Sequence, residues 1–230
     1  MSKVIVFAQS KGGAGKTTAA ITIASELARH GAGVTMIDAD PNQHTAKWGN
    51  KEGRPEKIAL IENPQGRSIE DNILDDIDNA RKATPFVIVD LEGTASMAAG
   101  YAISRSDLVI VSCQGSQDDA DEAAKTIKLI RQQERAFGRE ILFKVLITRA
   151  PAALNPRLLR GIVEDFQEQG VPLLKQRLVD REAFKAVKAF GGSLNDLTED
   201  EVSGASKACA DAKAVTAEVV EILRQQGEGA

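Results

Sequence analysis

A glycine-rich segment near the start of the chain, Lys-Gly-Gly-Ala-Gly-Lys-Thr-Thr at residues 11–18, constrains the fold more than any other feature. The apolar run Val4–Phe7 precedes it and predicts a strand, and the apolar pattern from Ala19 to His30 follows it and predicts a helix. A glycine turn at a helix N-terminus points backbone N–H groups at an anion, and the helix dipole adds partial positive charge. The segment therefore predicts a phosphate-binding loop between a strand and a helix.

The residue types in this loop indicate how a nucleotide would be held. Glycines let the backbone approach phosphates closely, Lys16 is placed to reach the β- and γ-phosphates, and the Thr17 hydroxyl is placed to bind Mg²⁺. Ser10 stands where the general pattern G-x-x-x-x-G-K-[ST] has its first glycine, whereas the pattern K-G-G-x-G-K-T-T is complete. We expect the nucleotide to contact Lys11, Gly12, Gly13, Ala14, Gly15, Lys16, Thr17 and Thr18.

Strand-like and helix-like segments alternate along the rest of the chain, which is typical of the α/β class. Most of the strand-like runs are continuously β-branched, and such runs are buried on both faces in parallel sheets. We predict one domain over residues 1–230 with a doubly wound, mostly parallel sheet of about seven strands and helices on both faces, as in a P-loop NTPase. The predicted strands are Lys3–Gln9, Gly33–Asp38, Ile58–Ile61, Phe86–Asp90, Leu108–Cys113, Leu142–Thr148 and Leu173–Arg177. The predicted helices are Thr17–Arg29, Thr45–Asn50, Ile69–Arg81, Asp118–Phe137, Pro156–Gln167, Arg181–Ala189 and Glu199–Gln226.

Composition limits the environment and the partners. The net charge of −4 is not that of a nucleic-acid binder overall, so contact with DNA requires a local basic patch. Two cysteines without C-x-x-C spacing fit a reducing compartment. The chain has neither a secretory signal nor an apolar run of about 18 residues, so we expect a cytoplasmic protein without membrane contact.

Three aspartates follow predicted strands and are candidates for magnesium and water chemistry. Asp38 and Asp40 end the second strand, and the carboxyl ends of parallel strands point toward the ligand. One of them can hold a magnesium-bound water while the other orients the attacking water; alternatively, the segment is a turn-capping Asp before Pro41. Asp90 follows a buried run in the Walker B arrangement, which binds Mg²⁺ through water. We predict Thr17, Asp38 and Asp90 as the metal site.

The K-G-G-x-G-K-T-T loop and the Asp38-x-Asp40-Pro41 segment together resemble the ParA/MinD superfamily of deviant Walker A ATPases, from Val4 to about Leu197. The resemblance implies ATP and Mg²⁺ as cofactors and Asp40 as the residue that activates water. It also implies that Lys11 reaches across a two-fold interface to the partner's phosphates, so that a homodimer sandwiches two ATP molecules. The catalytic residues are then Lys11, Lys16 and Asp40. Because the loop begins so near residue 1, we expect a small ParA type without an N-terminal helix-turn-helix.

One departure from the family affects the catalytic assignment. The family usually continues D-T-P-P after the Walker B strand, whereas this chain has Asp90-Leu-Glu92-Gly93-Thr94. Gly93 could donate its N–H to the γ-phosphate, and Glu92 competes with Asp40 for the water-orienting role. We favour Asp40, because Glu92 is also explained as a solvated loop charge.

The loops after the sixth and seventh strands carry the candidate base contacts. The resemblance implies that Arg149, Pro151 and Asp180 border the nucleotide base, and the alternative for the first of these loops is an ordinary surface turn. There is no N-K-x-D guanine signature, so ATP is favoured over GTP.

Residues 139–188 contain ten Lys and Arg against six Asp and Glu and form the basic part of the chain. A patch of this kind predicts non-specific, salt-sensitive contacts with double-stranded DNA, and the alternative is a solvated charged face. The family resemblance favours DNA. The candidate DNA-binding residues are Arg157, Arg160, Lys175, Arg181, Lys185 and Lys188.

The function that these features predict is that of a ParA-like ATPase that partitions or positions a DNA or protein cargo on the nucleoid. A ParB-like or other cargo adaptor protein would stimulate slow hydrolysis. The segments around Asp38–Trp48 and Asp180–Phe184 also resemble ParA-like ATPases that bring transfer DNA to a conjugation apparatus. The alternatives are an ATP-dependent metabolic enzyme similar to dethiobiotin synthetase, and a nucleotide-gated protein scaffold that does not bind DNA.

Overall fold

The computed structural model describes residues 2–10, 12–62, 69–93, 96–152 and 157–228. Lys11, Thr94 and Pro156, which the sequence singled out, lie outside the described residues. The strands are β1 (Lys3–Ala8), β2 (Val34–Ala39), β3 (Ile58–Ile61), β4 (Phe86–Leu91), β5 (Leu108–Cys113) and β6 (Phe143–Ile147). The helices are α1 (Lys16–Arg29), α2 (His44–Gly49), α3 (Ile69–Ala83), α4 (Met97–Arg105), α5 (Gln117–Phe137), α6 (Arg157–Glu168), α7 (Glu182–Phe190) and α8 (Ala205–Glu228), with a 3₁₀ helix at Leu194–Asp196.

The six strands form one sheet in the order β3-β2-β4-β1-β5-β6, and every neighbouring pair is parallel. The continuous apolar runs are buried because helices cover both faces of the sheet. One face packs against α3, α4, α5 and α6, and the other packs against α1, α2, α7 and α8. This arrangement confirms the doubly wound α/β fold expected of a P-loop NTPase.

The predicted seventh strand is an extended segment rather than a regular strand. It runs parallel to β6 through two isolated bridges, Val145 with Leu173 and Ala150 with Val179. Between the bridges, the N–H groups of Lys175 and Gln176 donate to the Glu218 carboxylate at 2.8 and 2.9 Å. A side chain of α8 therefore takes the place of a further strand at this edge.

Helix α4 is absent from the prediction. Ser96 caps it by accepting a hydrogen bond from the Ala99 N–H at 3.1 Å, and its buried face is made largely of alanine and glycine. Small residues give a weak hydrophobic period, so sequence reasoning missed the helix.

The strand register brings the candidate site together at one edge of the sheet. Asp38 on β2 lies opposite Asp90 on β4, and Asp90 lies opposite Phe7 on β1. The glycine-rich loop that follows β1 is therefore next to both aspartates. In the described part of the chain, no helix has the length and apolar character needed to cross a membrane.

Candidate functional site

The glycine-rich loop has the backbone that its sequence requires. Gly13 and Gly15 have φ angles of 89° and 82°, in the left-handed region that favours glycine, and α1 begins at Lys16. A Cβ on Gly15 would lie 3.1 Å from the Cβ of Thr148. The turn is therefore tight because Gly15 packs directly against the end of β6.

Side chains behind the loop hold its carbonyl groups. The Thr148 hydroxyl donates to the Ala14 carbonyl at 2.7 Å, and the Gln114 amide donates to the Gly13 carbonyl at 2.7 Å. Ser10, which replaces the first glycine, donates its hydroxyl to Glu122 of α5 at 2.6 Å. The loop is thus anchored to β5, β6 and α5, and sequence reasoning missed the contributions of Gln114 and Glu122.

Asp90 lies at the centre of the site and is fully buried. Its Oδ2 accepts hydrogen bonds from the hydroxyls of Thr17 at 2.7 Å and Thr45 at 2.8 Å. Its Oδ1 is buried and has no hydrogen-bond partner among the described residues. Burial raises the pKa of this carboxyl, and the two hydroxyls act against that rise.

The unpaired Oδ1 of Asp90 fits a hydrated magnesium ion. A buried carboxylate oxygen without a donor is costly, and Mg²⁺ with its water shell supplies both charge and donors. The Thr17 hydroxyl is the second hard oxygen at the same place. Within the described ranges, no group of three or more His, Cys, Asp and Glu side chains is arranged to hold a metal. The remaining ligands would therefore come from water and phosphate.

Asp38 has a structural role in addition to its predicted metal role. Its carboxylate accepts hydrogen bonds from the N–H groups of Ala46 at 2.7 Å and Asp40 at 3.1 Å, so it fixes the start of α2. Burial raises its pKa to about 6. The turn-capping role considered for the aspartate before Pro41 is filled by Asp40, whose Oδ1 accepts a hydrogen bond from the Asn42 N–H at 2.8 Å.

Asp40 and Glu92 lie in different surroundings. Asp40 is buried, its Oδ1 accepts from the backbone and side chain of Asn42, and its charge contributes to the raised pKa of Asp90. Glu92 lines a cavity of about 150 Å³ between α4 and α5, together with Ser10 and Thr126. The geometry thus groups Asp40, and not Glu92, with the buried aspartate.

A cleft of about 330 Å³ adjoins the glycine-rich loop and brings the predicted base contacts together. Arg149 and Asp180 line it from the two loops after β6 and the extended segment, with Phe184 from α7. Arg149 has a φ of 47°, which is unusual for a residue with a side chain. Pro151 is exposed and does not line this cleft. The full lining is Gly15, Thr18, Thr148, Arg149, Leu178, Val179, Asp180, Phe184, Lys185, Lys188 and Ala189.

The six predicted DNA-binding residues fall into separate environments. Arg160 and Lys175 line a groove of about 760 Å³ between α6 and the extended segment, and Arg157 is exposed at the start of α6. Arg181 forms an ion pair with Asp211 at 2.9 Å. The other two, Lys185 and Lys188, line the cleft beside the glycine-rich loop. The basic region of the sequence is therefore not one continuous patch.

Thr45 and Phe184 are site residues that the sequence did not reveal as such. Thr45 is buried and contacts Asp90 from the first turn of α2. The available signal was the placement of a hydroxyl residue shortly after Asp38-x-Asp40-Pro41. Phe184 ends the Asp180–Phe184 segment, which resembles ParA-like ATPases that bring transfer DNA to a conjugation apparatus.

Comparison with known proteins agrees with this geometry. The VirC1 protein family model matches residues 2–224. A curated relative, Protein ParA from Rhizobium radiobacter, is 37% identical over 225 residues, covering 96% of this chain and 99% of the relative. Protein virC1 from Rhizobium rhizogenes is 26% identical, covering 82% and 81%. Among solved structures, an ATP complex of Cyanothece McdA has a TM-score of 0.77 at 17% identity and covers 95% of this chain and 96% of that one.

Proposed function

Because the chain belongs to the VirC1 family within the ParA/MinD superfamily of deviant Walker A ATPases, we propose that it uses ATP and Mg²⁺ to partition or position a cargo. In this proposal, ATP joins two copies into a sandwich homodimer that binds double-stranded DNA without sequence preference. Hydrolysis then releases the DNA. The sequence resemblance favours transfer DNA, plasmid DNA or a protein assembly as the cargo.

The observation that carries the proposal is the contact of Thr17 with Asp90, whose second oxygen is buried and unpaired. The Walker A hydroxyl and the Walker B carboxylate meet where a phosphate-bound magnesium ion would need them. When bound, Mg²⁺ would neutralise charge on the β- and γ-phosphate oxygens. Lys16, at the start of α1, would donate to the same phosphates.

We assign the positioning of water to Asp40. Its Oδ1 is occupied by Asn42, and its Oδ2 accepts no hydrogen bond from the described residues. A carboxylate oxygen held in this way can accept a hydrogen bond from the attacking water and direct its lone pair at the γ-phosphate. Lys11 from the partner would add charge only in the dimer, which would make hydrolysis slow in the monomer.

The DNA-binding part of the proposal relies on the exposed cations of α6 and the extended segment. Arg157 and Lys175 are exposed, and among the described residues neither side chain has a carboxylate partner. Dimerisation would double this surface, and DNA would then retain the protein on the nucleoid in the cytoplasm. A ParB-like or other cargo adaptor would speed hydrolysis and thereby couple it to the position of the cargo.

The deciding experiment measures ATP turnover with and without double-stranded DNA in the intact protein. We expect slow turnover that requires Mg²⁺, and Lys16→Ala should lower ATP affinity by about 100-fold or more, because it removes the charge that pairs with the phosphates. Lys128→Ala, on the exposed surface of α5, is the control. ATP binding that survives in Lys16→Ala contradicts the site, and turnover that depends on a small-molecule acceptor instead favours a metabolic enzyme.

A further inference from the structure

Lys188 occupies a place that the charge pattern of the sequence does not predict. It lies four residues after Phe184, on the same face of α7, and both residues line the nucleotide cleft. Gly15 and Thr18 of the phosphate loop line the same cleft. The side chain of Lys188 is half-buried there rather than projecting from the outer surface.

The ammonium group of Lys188 is not matched by a nearby carboxylate. Among the described residues, none lies within ion-pair distance of it, although Asp90 and Asp40 act on it electrostatically from further away. Lys16 and Arg149 place two more cations around it, and burial lowers the pKa of the amine. Lys185, one turn earlier, differs because it is exposed and pairs with Glu182 at 2.8 Å.

The end of α7 is held in place, which fixes where Lys188 can reach. The Lys51 ammonium donates to the Lys188 carbonyl at 3.0 Å. The Trp48 indole N–H donates to the Gly192 carbonyl at 2.9 Å. These contacts tie α7 to the segment that follows Asp40, so the Lys188 side chain extends from an anchored backbone.

We propose that Lys188 binds the phosphate chain of the nucleotide in its own protomer, as a cation additional to Lys16, and does not contact DNA. Arg149 lines the same cleft, and its positive charge and that of Lys16 repel the Lys188 ammonium, which is half-buried without a partner among the described residues and therefore poorly solvated. A bound polyphosphate would relieve both the charge repulsion and the poor solvation of the ammonium, because its oxygens accept charge-assisted hydrogen bonds from Lys16 and Lys188 together. This inference rests on the proposed function, since it takes ATP as the ligand.

The test compares nucleotide affinities by calorimetry for Lys188→Gln, Lys188→Arg and Lys185→Gln. We expect Lys188→Gln to weaken ADP and ATP binding by about tenfold, the size of one charged hydrogen bond, and to leave adenosine binding unchanged. Lys188→Arg keeps the charge and should restore most of the affinity. Lys185→Gln measures the general effect of removing a cation near the cleft, and we expect a change of about twofold at most.

Three results would overturn the proposal: wild-type ADP and ATP affinity in Lys188→Gln, equal losses in Lys188→Gln and Lys185→Gln, or an equal loss for adenosine. A further measurement follows DNA binding at saturating ATP. Lys188→Gln should bind DNA like the wild type. A loss of DNA affinity without a loss of nucleotide affinity would instead assign Lys188 to DNA binding. Lys16→Ala distinguishes a failure of the Lys188 proposal from a failure of the proposed function. Unchanged nucleotide binding in Lys16→Ala would reject the ATP site itself.

Discussion

Asp90 shows how a single buried carboxylate organises the site at the scale of residues. Two threonine hydroxyls, from the phosphate loop and from α2, donate to one of its oxygens, and the other oxygen has no partner in the part of the chain that the structure describes. The protein alone therefore supplies hydrogen-bond donors to only one oxygen of Asp90. In the proposed function, the hydrated ion that accompanies a nucleotide would supply donors to the other oxygen.

Thr45→Val should destabilise the protein, because it removes one of the two hydrogen bonds to the buried Asp90 while preserving shape. We expect the free energy of unfolding to fall by about 1–3 kcal/mol in urea denaturation. The matched control is Thr216→Val, since the Thr216 hydroxyl is buried without a partner and its loss should be neutral or stabilising. An equal loss in both variants would show that the hydroxyl contact with Asp90 contributes nothing specific.

Asp40→Asn should keep ATP affinity and slow hydrolysis by about 100-fold or more, because it weakens the group that orients water without touching phosphate binding. Single-turnover phosphate release measures the rate, and light scattering with ATP should show a persistent dimer. Glu92→Gln is the comparison, and we expect it to hydrolyse ATP at close to the wild-type rate. Reversed results for the two variants assign the water-orienting role to Glu92.

At the scale of elements, α2 and α7 behave as one unit built around two glycines. Gly191 and Gly192 have φ angles of 93° and 68°, and they let the chain after α7 pack against the segment that follows α2. A Cβ on Gly191 would lie 2.6 Å from the carbonyl oxygen of Glu52. Because α2 carries Thr45 and α7 carries Lys188, this contact sets the distance between the two walls of the site.

Gly191→Ala should lower stability by more than the cost of a left-handed alanine, because the new methyl group meets the Glu52 backbone. Gly31→Ala supplies the reference, since Gly31 has nearly the same φ of 91° and has no atom within 4 Å of the new Cβ. We expect about 1–2 kcal/mol for Gly31→Ala from backbone strain and about 1–3 kcal/mol more for Gly191→Ala from the clash, measured by urea denaturation. Equal losses of unfolding free energy in the two variants would mean that the segment after α7 can move away from the segment after α2 at little energetic cost.

At the scale of the whole molecule, the candidate cations lie in two separate places. Those of α7 line the cleft beside the glycine-rich loop, whereas Arg160 and Lys175 line the groove beside α6 and Arg157 is exposed at the start of α6. In the proposed function, the DNA surface of one monomer would therefore consist of these few cations beside α6. This is the physical reason for expecting DNA binding to require the dimer.

DNA binding should require ATP, ignore sequence and weaken steeply with salt, with log K falling by about 0.9 per phosphate contact per log unit of salt. Arg157→Glu combined with Lys175→Glu should weaken binding to two unrelated duplexes alike and leave ATP affinity unchanged. Anisotropy with ATP and with ADP across a salt series measures this. Lys128→Glu combined with Lys207→Glu changes the net charge by the same amount elsewhere, and equal weakening there would contradict a local surface.

The sequence alone was sufficient for the features that depend on local pattern. The phosphate loop is predicted by the glycine spacing between a strand and a helix. The parallel sheet is predicted by continuous β-branched runs such as Phe86–Val89, because a strand that is buried on both faces of a sheet has no polar face. The superfamily resemblance, carried by the loop and the Asp38–Pro41 segment, is confirmed by the family model and the ParA relative. Each of these signals spans only a few consecutive residues, so it can be recognised without knowing the fold.

The tertiary structure decided everything that depends on residues distant in sequence. It placed Thr45 against Asp90, occupied both oxygens of Asp38 with backbone donors, and paired two N–H groups of the predicted seventh strand with the Glu218 carboxylate. It also separated Lys188 from Arg157 and Lys175, although charge counting had joined them in one basic region. The physical reason is that charge and hydrogen bonding act through space, so the role of a side chain depends on which elements the fold brings beside it.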